Sequence, residues 1–161
     1  MYLLYNLALW LATPLLLPWV AYRALRGRLP GLGQRLGLFS REGISPGAPV
    51  IWIHAVSVGE VNAAGAFIKE LRNRFPTASI VMTSSTVTGW NAARQLLSPE
   101  ELVLYPPWDL ASVCRRFLRR IKPQAVVIVE TELWPNLFRE CKRYGAWKPS
   151  CTPCSASSSR F

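Results

Sequence analysis

From Tyr2 to Tyr22 the chain carries no charged side chain, and Leu, Ala, Trp, Val and Tyr fill nearly every position apart from Asn6, Thr13, Pro14 and Pro18. A run of roughly 20 such residues matches the thickness of a bilayer core. A cleaved leader calls for a basic stretch before the apolar run and small residues after it. Here Met1 leads straight in, and Tyr22, Arg23 and Leu25 follow, so the run is expected to stay as a membrane anchor over residues 1–22. Its length prefers spanning to an interfacial seat, whereas its two prolines suit a kinked or shallow helix in one leaflet. Beyond it, Arg23, Arg26, Arg28, Arg35 and Arg41 mark residues 23–49 as a basic juxtamembrane segment. Arginine-rich flanks face the cytoplasm, which places the folded part on that side.

The 161 residues leave room for one further domain of ordinary size. The formal charge of +10 asks for an anionic partner: nucleic acid, an acidic membrane face or a phosphorylated substrate. No base-reading or stacking module is visible, so nucleic acid is set aside, and the juxtamembrane arginines supply much of the charge. Cys114, Cys141, Cys151 and Cys154 lack the spacing of a disulfide framework and are expected as ordinary thiols. Cys151 and Cys154 form a C-x-x-C pair, but the single histidine, His54, lies far upstream, so neither a metal site nor a cofactor is expected.

Residues 50–144 alternate between two periodicities. Val50 to Ala55 is short, apolar and β-branched, and is followed by Val61, Ala64, Gly65, Ile68, Leu71 and Phe75 at helical spacing. Further strands are predicted at Ser79 to Thr83, Leu102 to Tyr105 and Ala125 to Val129. Helices are predicted near Thr88 to Leu97, along the stripe Leu110, Val113, Cys114, Phe117, Leu118 and Ile121, and over Leu133 to Tyr144. Four such units predict an α/β, Rossmann-like parallel sheet covered on both faces. Ligands in such sheets bind beyond the carboxyl ends of the strands. Those ends carry Ser57, Gly59 and Glu60; Thr83, Ser84 and Ser85; Tyr105 to Asp109; and Glu130, Thr131 and Glu132. From Gly145 the pattern stops, and residues 145–161, rich in Ser, Pro and Cys, read as a disordered or non-native tail.

Several residues admit two readings. Ser57-Val58-Gly59-Glu60 opens a helix, where a carboxylate is held by the helix dipole and can accept a proton from a sugar hydroxyl; S-x-x-E is equally a capping box. His54 on an apolar strand reads as a hydrogen-bonded core residue rather than a catalytic one. Glu130 and Glu132 can bind substrate or cap the next helix. Arg115, Arg116, Arg119, Arg120 and Lys122 form the polar side of a helix, by default solvated, with attraction to anionic headgroups as the second account.

Five blocks in order resemble the 3-deoxy-D-manno-octulosonic acid (Kdo) transferase family: GLFSREG at Gly37 to Gly43, IWIHAVSVGEV at Ile51 to Val61, TSSTVTGW at Thr83 to Trp90, YPPWD at Tyr105 to Asp109, and ETELWPNL at Glu130 to Leu137. The resemblance implies the acceptor-side, amino-terminal half of a GT-B glycosyltransferase of lipopolysaccharide assembly. Such an enzyme transfers Kdo from CMP-Kdo to the lipid A precursor lipid IVA at the bacterial inner membrane, by inversion. It implies Glu60 as general base and Glu130 as a second important position, with Ser57, Gly59, Thr83, Ser84, Ser85 and Glu132 around the substrate. Family members continue into a further strand, a linker and a donor domain. These are not found here, so the chain is expected to be a truncated form, and its own activity is in question.

Overall fold

The computed structural model describes residues 2–129 and 134–146. Helix α1 (Tyr2–Leu25) is the apolar run, and a single helical turn, α2 (Leu32–Arg35), follows it. The four βα units are β1 (Val50–Ala55) with α3 (Val58–Arg74), β2 (Ser79–Ser84) with α4 (Val87–Leu96), β3 (Leu102–Leu104) with α5 (Ala111–Ile121), and β4 (Ala125–Ile128) with α6 (Pro135–Tyr144).

The strands form one parallel sheet in the order β3-β2-β1-β4, with Trp52 opposite Val81 and Val126, and Met82 opposite Val103. The chain builds outward from β1 to β3 and then crosses back to lay β4 on the other side. That reversal between β1 and β4 is where open α/β sheets form their ligand crevice.

Because side chains alternate across a strand, the β-branched runs feed two separate cores. On one face Ile51, Ile53, Ile80, Met82 and Val103 pack with Val61, Ala64 and Ile68 of α3 and Ala93 of α4. On the other, Trp52, Val81, Leu104 and Val126 meet Cys114, Phe117, Leu118 and Ile121 of α5 and Leu137 and Cys141 of α6. Phe117 sits between Trp52 and Phe39, at centroid distances of 5.1 and 4.9 Å. Phe39 and Ile44, from the segment before β1, therefore belong to this core. Cys114 and Cys141 are buried free thiols, and burial pushes the Cys141 thiol up to about 12.

The predicted elements recur within a few residues, with two differences. Phe75 does not join the buried stripe of α3: it is the residue after the last turn and is 53% exposed. Leu110 likewise precedes α5 rather than lying in its stripe. At the far end Gly145 closes α6 with φ 80°, a conformation glycine adopts without Cβ strain, and Ala146 packs into the second core. Residues 147–161, which include Cys151, Cys154 and most of the predicted tail, lie outside the described residues.

Candidate active site

The carboxyl ends of β1 and β2 are tied together at one atom. The Val56 carbonyl accepts from Ser84 Oγ at 3.0 Å, from the Ser85 backbone N–H at 3.3 Å and from Thr86 Oγ1 at 3.4 Å. Thr86 in turn caps α4 by accepting the Gly89 N–H at 3.0 Å. Gly89 has no room for a larger residue: a Cβ there would overlap Ser84 Oγ and lie 2.9 Å from Thr86 Oγ1 and 3.3 Å from the backbone carbon of Ser57. The glycine lets α4 start flush against the β1 loop.

Ser57 and Glu60 form the predicted capping box at the start of α3. Glu60 Oε2 accepts the Ser57 backbone N–H at 2.6 Å and also meets Ser57 Oγ. The half-buried carboxylate is thus fixed on the first turn, where exposed Gly59 keeps the approach open. The orphan N–H groups of that turn and the helix dipole both favour its charged form. The cap holds this side chain in one position at the helix start.

Thr83 and Ser84 are fully buried. Thr83 Oγ1 accepts from Trp52 Nε1 at 2.9 Å and lies 2.8 Å from His54 Nδ1. A hydroxyl carries one proton and two lone pairs, so Thr83 Oγ1 accepts from Trp52 and can pair with Nδ1 in either imidazole tautomer. Burial depresses His54 to about 4, which keeps the ring neutral. His54 is therefore a hydrogen-bonded core residue, packed edge-on against Trp134 at 5.7 Å. Its Nε2, together with Ser85 Oγ, Trp90 Nε1 and Trp134 Nε1, is buried without a partner among the described residues. All four belong to residues at or just inside this rim.

At the end of β3, Gly31 packs against the Tyr105 ring, at φ 66° and with no space for a Cβ. Arg35 lies over the same ring at 4.7 Å and donates to the Ser85 carbonyl at 2.8 Å, while Trp90 stacks on Tyr105 at 6.2 Å. The Tyr105 and Trp108 N–H groups donate to Gln34 Oε1 and the Arg35 carbonyl. Sequence reasoning treated Arg35 only as flanking charge; the signal available was its place two residues before the GLFSREG block. Asp109 was noted only as a rim residue. Its carboxylate accepts the N–H groups of Asn136 and Leu137 at 3.1 and 2.7 Å and so caps α6, whose own first residues supply no side-chain cap.

The four arginines 115, 116, 119 and 120 stand on the solvent side of α5 around an open groove of about 640 Å³. Glu140 of α6, 3% exposed, pairs with Arg115 at 3.3 Å and Arg143 at 3.2 Å. Glu130, Thr131 and Glu132 lie outside the described residues. The last contact before them is the Val129 N–H, which donates to the His54 carbonyl at 2.9 Å, so the chain leaves β4 beside β1.

A sequence profile described as "3-Deoxy-D-manno-octulosonic-acid transferase (kdotransferase)" matches residues 30–147. The chain belongs to this family. The 3-deoxy-D-manno-octulosonic acid transferase of Haemophilus influenzae is 35% identical over 109 residues, 68% of this chain and 25% of that protein. A probable mitochondrial 3-deoxy-D-manno-octulosonic acid transferase of Arabidopsis thaliana is 34% identical over 142 residues, 85% and 31% respectively. The Bordetella pertussis transferase is 30% identical over 165 residues, 98% and 37%. The chain thus spans between a quarter and two fifths of these Kdo transferases. The profile begins at residue 30, so the segment that brings Arg35 and Phe39 to the domain falls inside the matched region.

Proposed function

We propose that this chain forms the acceptor side of a glycosyltransferase of lipopolysaccharide assembly, which moves Kdo from CMP-Kdo to the lipid A precursor lipid IVA at the cytoplasmic face of the inner membrane. Glu60 is the general base. The observation that supports this most directly is the fixed Glu60 carboxylate, held by Ser57 at the first turn of α3 beside the sheet's crevice. A base must sit within hydrogen-bond reach of the proton it removes, and a carboxylate immobilised by its own cap meets that demand with little reorganisation.

Ser57, Gly59 and Ser85 line the acceptor side, while Thr83 and Ser84 act from below by fixing β1 against β2. Glu130 and Glu132, which follow β4 in the chain, are proposed as further substrate-binding carboxylates. The donor nucleotide is held by a second domain of the GT-B pair, with direct displacement at the anomeric carbon: the acceptor oxygen attacks as Glu60 takes its proton, and CMP departs with the bonding electrons.

A second reading is a membrane-tethered module that binds the acceptor without transferring sugar; the Ser57–Glu60 capping box, which satisfies the helix end with no catalytic role for the carboxylate, is the observation that favours it. Transfer of radiolabelled Kdo from CMP-Kdo, regenerated in place, to a tetraacylated lipid A precursor separates the two. It is run on this chain and on Glu60→Gln in detergent, with lipid binding measured alongside. Transfer that disappears in the variant while lipid binding persists supports the enzyme. Equal transfer by both proteins removes Glu60 from its role, and lipid binding without transfer by either supports the acceptor module.

A further inference from the structure

Both ends of the apolar helix are fastened to the same folded domain. At its start, the Tyr5 hydroxyl donates to Asp109 Oδ2 at 2.8 Å. The Asn6 and Asn136 amides bond reciprocally, Asn6 Nδ2 to Asn136 Oδ1 at 3.1 Å and Asn136 Nδ2 to Asn6 Oδ1 at 2.9 Å. Arg139 of α6 lies over the Tyr2 ring at 5.2 Å. Beyond its end, the chain reaches the domain again within a few residues, where Gly31 meets Tyr105 and Arg35 donates to Ser85.

These contacts conflict with a helix that crosses a bilayer. The 24 residues of α1 make a rod of about 36 Å, and a bilayer core is about 30 Å thick. In a spanning helix Tyr5 and the residues after Leu25 would lie near opposite surfaces, yet both touch one domain at one rim. The exposure pattern agrees with a lateral seat. Tyr5, Asn6, Leu9, Ala12, Thr13, Val20, Arg23 and Ala24 are partly covered, and at 3.6 residues per turn they fall within about a third of the circumference. Leu4, Leu7, Trp10, Leu11, Leu15 and Leu17 stand exposed elsewhere on the helix. Pro14 and Pro18 each leave a carbonyl one turn earlier without its helical donor, a loss that the water of an interface makes good directly.

We infer that α1 is an interfacial anchor: it lies in one leaflet with its apolar sides in the acyl region, and its first turn stays docked on Asp109 and Asn136 on the same side of the membrane as the domain. The lipid-exposed face and the rim of the sheet are thereby held at a fixed relation, independent of whether the chain transfers sugar.

An epitope tag placed before Met1 tests this on the otherwise unaltered chain. The expected result is a tag that resists protease added to intact spheroplasts and is cut in inside-out vesicles; cleavage from outside the spheroplast overturns the inference. A second arm introduces Asn6→Cys with Asn136→Cys, with Cys151→Ser and Cys154→Ser to remove competing thiols. An oxidant should join positions 6 and 136 in native membranes. A bond that forms in detergent but not in membranes overturns the docked arrangement.

Discussion

The Asp109 carboxylate receives the backbone N–H of Leu137 at 2.7 Å, across 28 residues of sequence, and so one side chain at the end of β3 starts the helix that follows β4. The same carboxylate accepts from Tyr5. Asp109→Ala should lower unfolding stability in detergent by about 2 kcal/mol, the upper part of the range for a lost N-cap, because the Tyr5 partner is lost with it. Asp109→Asn, which keeps one capping oxygen, should lose about half as much. Denaturant unfolding of the three proteins measures the series.

Glu60→Gln and Glu60→Ala separate cap from base. Glutamine also closes a capping box, so the first variant should unfold within about 0.5 kcal/mol of the parent while any transfer activity falls at least about a hundredfold. Alanine should lose both, with a stability cost of about 1 kcal/mol. A Gln variant with parental transfer would show that the carboxylate serves only the helix.

His54 makes stability depend on mild acid. The folded-state value is depressed to about 4 from 6.5 by burial, so the unfolded chain binds the extra proton first. Its contribution is therefore complete above pH 6.5 and is lost as pH falls toward 4, by about 3 kcal/mol in all. His54→Asn should flatten that slope between pH 4 and 7. Unfolding free energies across this window check the sign and the size.

Gly89→Ala places a methyl group against Ser84 Oγ, Thr86 Oγ1 and the backbone of Ser57. The expected cost is about 1–3 kcal/mol, typical of overpacking, with α4 displaced from the β1 loop. Gly47→Ala, where no atom lies within 4 Å of a built Cβ, serves as the comparison for a glycine that is strained by φ alone. Thermal unfolding of the pair, read with amide exchange at Gly89 and Trp90, distinguishes crowding from backbone strain.

The strands were legible because parallel strands buried on both faces must be continuous apolar runs, and VIWIHA and SIVMTS are such runs. The capping box was legible because both of its residues lie within one turn. Phe75 was misassigned for the same local reason: its spacing fits the stripe, but α3 ends one residue earlier. Asp109 as the α6 cap, Arg35 against Tyr105 and Ser85, and the Asn6–Asn136 pair depend on residues 27 to 130 positions apart, which only the assembled sheet brings together. The trace of the last pair in the sequence was an asparagine in a run otherwise nearly free of amides. Glu130 and Glu132 remain known by their place in the chain order alone.

The oxygen of Thr83, shared by Trp52 and His54, also acts as a gauge of alignment. Sliding β1 along β2 by one residue would turn the indole and imidazole to the opposite face and leave both nitrogens buried and dry. Apolar side chains tolerate approximate neighbours, but two polar rings that must meet one hydroxyl do not. The central strands thus carry a check on their own pairing, set at the end of the sheet where α3 and its Ser57–Glu60 capping box begin.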